Sequence, residues 1–196
     1  MNNSTDLPPA TQFRLWGQLI RQSDEQAYRE LFEQTYNLLF KFTNRYVQSR
    51  DVCKDILQES YVKLWQNRSH VDESKSLKAY LYTIVRNECM NYIYADQNRT
   101  IDDEFPAEIA DDQGLDDAVT DTEKTGVLQL KLDQWVSELP QRQRTAFELS
   151  RYDGLDHNEI AEVMDCAPRT VNNHIVAALK VLRSKYDRWK QKSVMD

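Results

Sequence analysis

Only four glycines and five prolines punctuate the 196 residues, a scarcity that disfavours a turn-rich all-β fold or a collagen-like chain. Cysteine is as sparse. Cys53, Cys89 and Cys166 are odd in number and far apart, with no C-x-x-C. They argue against a disulfide framework or a zinc site and fit a reducing cytoplasm. No run of 18 apolar residues exists, so no segment is expected to cross a membrane. The start, MNNSTDLPPATQFRLW, lacks the basic-then-apolar pattern of a secretory signal. A glycine-rich phosphate loop and a G-x-S-x-G turn are also missing, which thins the enzyme classes. What is there, 40% hydrophobic and 29% charged residues, is the composition of a soluble, helix-prone protein.

Charge is unevenly spread. Residues 1–95 carry 12 basic and 11 acidic groups, residues 96–126 carry 2 against 11, and residues 127–196 carry 11 against 10. Within the last part, residues 166–193 hold seven Lys or Arg and one Asp. The formal net charge of −7 therefore conceals two nearly neutral modules, an acidic connector and one anion-seeking surface.

Periodicity makes the first module helical. Tyr28, Leu31, Phe32, Thr35, Leu39, Phe42 and Tyr46 follow the three-and-four spacing of one buried stripe. After a break at Gln48-Ser49-Arg50, Cys53, Leu57, Tyr61 and Leu64 mark the inner face of a second helix. A polar interruption from Asn67 to Ser76 precedes a third, with Leu77, Leu81, Ile84, Val85 and Tyr92 inside, reaching about residue 95. The stretch TIDDEFPAEIADDQGLDDAVTDTEKTG has dense like charge and little periodicity, and it reads as a flexible acidic linker over 96–126. Asp111-Asp112-Gln113-Gly114 does not supply the ligand alternation of a calcium loop, so no metal or cofactor is expected.

The second module opens with Leu128, Leu132, Trp135, Val136 and Leu139 on one face, closed by Pro140. A helix through Ala146, Phe147 and Leu149 stops at Tyr152-Asp153-Gly154, where glycine can take the left-handed conformation. Asp156 and Glu159 have the spacing of a capping box, and Leu155 and Ile160 that of a hydrophobic staple, for a helix from His157 to Met164. Asp165-Cys166-Ala167 is a tight turn, and Pro168 suits the first position of the next helix. Ala161 is small where the second helix would press on the first, so the pair is a helix-turn-helix. Val171, Ile175, Ala178, Leu179 and Leu182 form its docking stripe. The opposite face presents Arg169, Asn173, Val176 and Lys180, flanked by Thr170 and Asn172, residue types that grip phosphates and read base edges. Arg183, Lys185, Arg188, Lys190 and Lys192 extend the positive strip. Two positions are irregular: Ala167 lacks a capping oxygen, which costs about 1 kcal/mol against Ser, and Asp165 stands where glycine usually turns the chain.

The stretch LPQRQRTAFELSRYDGLDHNEIAEVMDCAPRTVNNHIVAALKVLR resembles the promoter-binding fourth region of sigma-70 family factors. DVCKDILQESYVKLWQN resembles their second region, with its Asp-x-x-Gln-Glu pattern at Asp55, Gln58 and Glu59, and SLKAYLYTIVRNECMNYI is similar to the helix that follows. With two modules and a short connector, the chain resembles the extracytoplasmic-function (ECF) class. The expected fold is all-α: a helical bundle (1–95) and a helix-turn-helix domain (127–196), joined by the acidic linker.

The resemblance implies an initiation factor, not an enzyme, with core RNA polymerase and promoter DNA as partners. Asp51, Asp55, Gln58, Glu59 and Val62 would face the clamp helices of the β′ subunit, with the β flap as a further contact. Asn67, Arg68, Ser69, His70, Lys75, Lys78, Tyr82, Arg86 and Asn87 would read and melt the −10 element, where single-stranded readout needs stacking groups and cations. Tyr82 is expected on the open side of its helix, and Tyr80 could equally be core. Arg169, Thr170, Asn172, Asn173 and Lys180 would read the −35 element, with His174 nearer the buried edge. The linker would thread a basic polymerase channel. An anti-sigma protein would hold the factor inactive in the cytoplasm or at the inner membrane. Two readings compete with this one: a helix-turn-helix regulator acting without polymerase, and a metal-dependent helical nuclease. The first module's acidic helical face weighs against the regulator, and no pair of metal-ligand spacing has the supporting His or Lys a nuclease would need.

Overall fold

Side-chain oxygens start the helices of the first module. Asp24 accepts a hydrogen bond from the amide of Ala27 at 2.9 Å, Ser49 from Val52 at 3.5 Å and Ser76 from Ala79 at 3.2 Å, each relieving an amide that has no partner in the first turn. The computed structural model describes residues 9–47, 49–97 and 123–192, and among these no strand occurs. The helices are α1 (Pro9–Arg21), α2 (Glu25–Asn44), α3 (Arg50–Gln66), α4 (Leu77–Gln97), α5 (Glu123–Ser137), α6 (Gln141–Arg151), α7 (His157–Met164) and α8 (Pro168–Lys192), with one 3-10 turn at Arg68–His70. The all-α expectation holds. Nearly all of the expected linker, residues 98–122, lies outside the described residues. Backbone contacts define two compact units, residues 1–103 with 158–165 and residues 104–157 with 166–196.

In the first unit α3 is the central helix, packed on both α2 and α4. Leu31, Leu39, Phe42, Leu57, Leu64, Leu81 and Val85 are fully buried there. One polar connection runs through this apolar seam. The Tyr61 and Thr35 hydroxyls lie 2.7 Å apart, Thr35 also donates to the Leu31 carbonyl at 2.6 Å, and Tyr28 donates to the Tyr61 carbonyl at 2.9 Å. Burial raises the Tyr61 phenol well above its usual range, so the hydroxyl stays protonated and bonded. Burial likewise pushes the Cys53 thiol up to about 11 and the Cys89 thiol to about 12. Both behave as small core hydrophobes.

α1 was not foreseen from the sequence as a separate element. It buries Trp16 and Ile20 and ends at a corner where Ser23 takes φ 66°. Its amphipathic pattern and the proline at its first position are helix signals that the sequence reading passed over.

The second unit is held by Trp135, Val136, Leu139, Phe147, Ala178 and Leu182, with Trp189 packed against them. The Trp135 and Trp189 rings meet edge to face at 6.3 Å. Pro140 separates α5 from α6 as expected. Arg144 is buried, and it satisfies its charge locally by donating to the Ser137 carbonyl at 3.0 Å and to the Gln141 side-chain oxygen. Gly154 has φ 62° after α6, and Asp165 has φ 49° between α7 and α8, so Asp165 takes the left-handed role foreseen for it. Leu57 has no exposure at the α2–α3–α4 seam. Leu57→Ala should therefore cost about 2–5 kcal/mol of stability, read as a lower urea midpoint at unchanged m-value.

Candidate polymerase and nucleic-acid interfaces

The rotation of α3 follows from its buried side. Cys53, Ile56, Leu57, Ser60, Tyr61 and Leu64 face inward, so Asp51, Asp55, Gln58, Glu59 and Val62 all emerge on the exposed side. Asp51 accepts from Lys54 at 2.9 Å, and this neighbour holds its carboxyl below the usual range. Glu59 lies 3.7 Å from Lys63, which is itself committed to Glu88 at 2.8 Å. Asp55 makes no ion pair among the described residues. The strip is thus a row of carboxylates still carrying net negative charge, able to steer and orient a basic partner.

Val62 also borders an apolar concavity of about 540 Å³, lined by Glu25, Tyr28, Arg29, Phe32, Trp65 and Gln66. The sequence pattern placed Phe32 in the buried stripe, but it is 38% exposed. It sits at the edge of the α2–α3 contact, 4.8 Å from the Tyr61 ring.

Along the loop after α3, Asn67, Ser69, His70 and Lys75 are exposed. Arg68 is not a free cation. Its Nε donates to the Ser23 hydroxyl at 2.8 Å, its Nη1 to the Trp65 carbonyl at 2.8 Å, and its guanidinium lies 4.5 Å from the Trp65 ring centre. Lys78 is half-buried, with its ammonium 5.8 Å from the Phe13 ring. Arg86 is half-buried and Asn87 exposed.

Tyr82 must be corrected. It is 1% exposed and meets the Phe42 ring edge to face at 5.0 Å, so it cannot stack on a base. α4 packs against α1, α2 and α3, and three neighbours widen its buried arc from Leu77 and Leu81 around to Tyr82, Cys89 and Ile93. Tyr92, expected inside, is instead 38% exposed. Tyr80 is a half-exposed aromatic on the open arc, on the same face as Asn87.

On α8, Val171, Ile175, Ala178 and Leu182 are buried as expected, whereas Leu179 is 39% exposed. Arg169, Asn172, Asn173 and Lys180 are exposed, Thr170 is half-buried, and Val176 is 56% exposed between them. Cations, planar amides and an apolar group therefore share one open face, the mixture that major-groove readout uses. His174 sits at the margin. Burial lowers its pKa, and Arg142 beside it adds to the effect. Both causes favour the neutral imidazole. Among the described residues no cluster of metal-ligating side chains occurs, and no helix is long and apolar enough to cross a membrane.

Two family models match, "Sigma-70 region 2" over residues 31–99 and "Sigma-70, region 4" over residues 129–182. The chain belongs to the sigma-70 family. Among its relatives are the ECF RNA polymerase sigma-E factor of Haemophilus influenzae, 29% identical over 85% of this chain and 90% of the relative. Another is the RNA polymerase sigma-H factor of Pseudomonas aeruginosa, 25% identical over 83% of this chain and 88% of that protein. The fold resembles CnrH in complex with the cytosolic domain of CnrY (TM-score 0.62, 15% identity, 90% and 98% of the two chains). It also resembles RpoE with the anti-sigma factor NepR from Bartonella quintana (TM-score 0.55, 20% identity, 82% and 96%).

This ECF sigma factor is accordingly an initiation factor of RNA polymerase and not an enzyme. The region 2 match sets aside a regulator that acts without polymerase. His174 should titrate below 6.5 by NMR. Its unfolded form binds the proton more readily, so stability should fall as pH drops from 6.5 through the lower folded midpoint. His174→Gln should flatten that slope, and Arg142→Gln should raise the midpoint only slightly, because burial is the larger cause.

Proposed function

We propose that α3 docks this sigma factor on the clamp helices of the polymerase β′ subunit through Asp51, Asp55, Gln58, Glu59 and Val62. The loop 67–76 and the open arc of α4 then take the separated −10 strand, with Asn67, Ser69, His70, Lys75, Lys78, Arg86 and Asn87 as contacts. Tyr80 replaces Tyr82 as the stacking group. The exposed face of α8 reads the paired −35 element with Arg169, Thr170, Asn172, Asn173 and Lys180. Residues 1–95 and 127–196 act as separate modules, the second also meeting the β flap.

One observation carries the reading. A single chain exposes a carboxylate strip on one helix, and on another an array of amides and cations turned away from the core. The first suits a basic protein surface and repels DNA, and the second suits DNA. Neither alone would distinguish an initiation factor from an ordinary regulator.

Regulation is read by analogy. RpoE from Bartonella quintana is in complex with the anti-sigma factor NepR, and we propose a partner of that kind here, acting in the cytoplasm or from the inner membrane.

In vitro transcription with core polymerase tests the proposal. Promoter-specific initiation should depend on this chain. Asp55→Ala with Glu59→Ala should weaken holoenzyme assembly about tenfold, with the loss shrinking at high salt. Asn173→Ala should cost about 1–3 kcal/mol of −35 affinity and relax preference at one base pair. A chain that fails to co-migrate with core polymerase yet shifts duplex DNA by itself refutes the docking role.

A further inference from the structure

The loop 67–76 is rich in polar residues, and a segment of that composition is ordinarily mobile unless something ties it down. Here it is tied at three points. Arg68 joins its start to Ser23 and to the Trp65 carbonyl, both at 2.8 Å, under the Trp65 ring. Val71 is 4% exposed, and its Cγ1 lies 3.9 Å from where a Cβ on Gly17 of α1 would sit. Glu73 pairs with Arg21, the last residue of α1, at 3.0 Å. Two of these ties end on α1 itself and one on the corner just beyond it.

That corner is itself fixed. Ser23 has φ 66°, the left-handed position that ends many helices and usually calls for glycine. Its amide donates to the Ile20 carbonyl at 2.8 Å, and the next amide, of Asp24, donates to Leu19 at 3.0 Å. The hydroxyl that receives Arg68 is therefore delivered by a closed helix end and not by a wandering side chain.

We propose that α1 and its terminal corner form a brace that sets the shape of the −10-reading loop, with Arg68 as a positioning residue. The inference rests on the reading of this loop as the −10 contact. Arg68 has one guanidinium face over an indole and two of its five N–H donors bonded within the protein, so the fold fixes its orientation. A strand-reading loop gains from being held in its bound shape beforehand, because groups a fraction of an ångström out of place lose selectivity.

The test uses the full chain in holoenzyme. The probes are a single-stranded oligonucleotide carrying the non-template −10 sequence of a promoter it transcribes, and the same strand with one base changed. Ser23→Ala and Arg68→Lys should each cut the cognate-to-variant affinity ratio on the order of fivefold, the equivalent of one lost hydrogen bond. Core-polymerase affinity serves as the control for folding. The double variant should lose no more than the worse single, since both remove one contact. Ser23→Asn, which tolerates the left-handed region and keeps an acceptor, should restore the ratio. The brace is overturned if both single variants keep the wild-type ratio, even at a lower melting temperature. It is equally overturned if Arg68→Lys weakens both strands alike and lowers the salt dependence while Ser23→Ala does nothing, which is the behaviour of a phosphate contact. A wild-type holoenzyme with no preference between the strands overturns the −10 reading and the brace together.

Discussion

The rotation of α3 about its own axis is the constraint from which the first module follows. Leu57 and Leu64 are buried without exposure, and Tyr61 is pinned by its bond to Thr35. A helix held by a buried hydroxyl pair and two full leucines cannot turn by even one residue position without stranding a polar group in an apolar seam. Once that rotation is set, every fourth residue from Asp51 must point outward. The core also accounts for the spacing of the carboxylates, because their separation is the helical repeat read on the far side of the leucines.

The same logic governs α8, with a different partition of labour. Its apolar stripe is consumed by α5 and α6, and Trp189 closes on Trp135. Arg169, Asn173, Val176 and Lys180 are then left as a continuous row. The turn before it needs a residue with φ near 49°, and Asp165 supplies it at some cost relative to glycine. In both helices the functional groups occupy positions the hydrophobic core does not want.

Where the buried side of a helix is one narrow face, as in α3 and most of α8, spacing alone separated inside from outside. The limits of α7 and the left-handed turns at Gly154 and Asp165 were readable from capping and turn chemistry. Tyr82 failed because α4 has three neighbours, so its buried arc is too wide for a single stripe to describe. Phe32, Leu179 and Tyr92 failed in the opposite sense, being apolar residues at the margin of a contact. Arg68 was expected at the −10 element because the family resemblance points to this loop, and its hydrogen bond to Ser23 was not foreseen. Its partner Ser23 lies 45 positions earlier, beyond the reach of any local pattern. Membership in the family was legible from the two motifs in order. The brace was not, since its ties join residues 45 and 52 positions apart.

The 25 residues of α8 make a rod about 37 Å long, and its two halves hold different offices. The leading half carries the exposed amides, while the trailing half supplies the wall on which the module's tryptophans close. A lever of this kind transmits tilt. Loosening the fulcrum at Trp189 would swing the amides at the other end through a larger arc, so the exposed face and that hydrophobic wall do not vary independently.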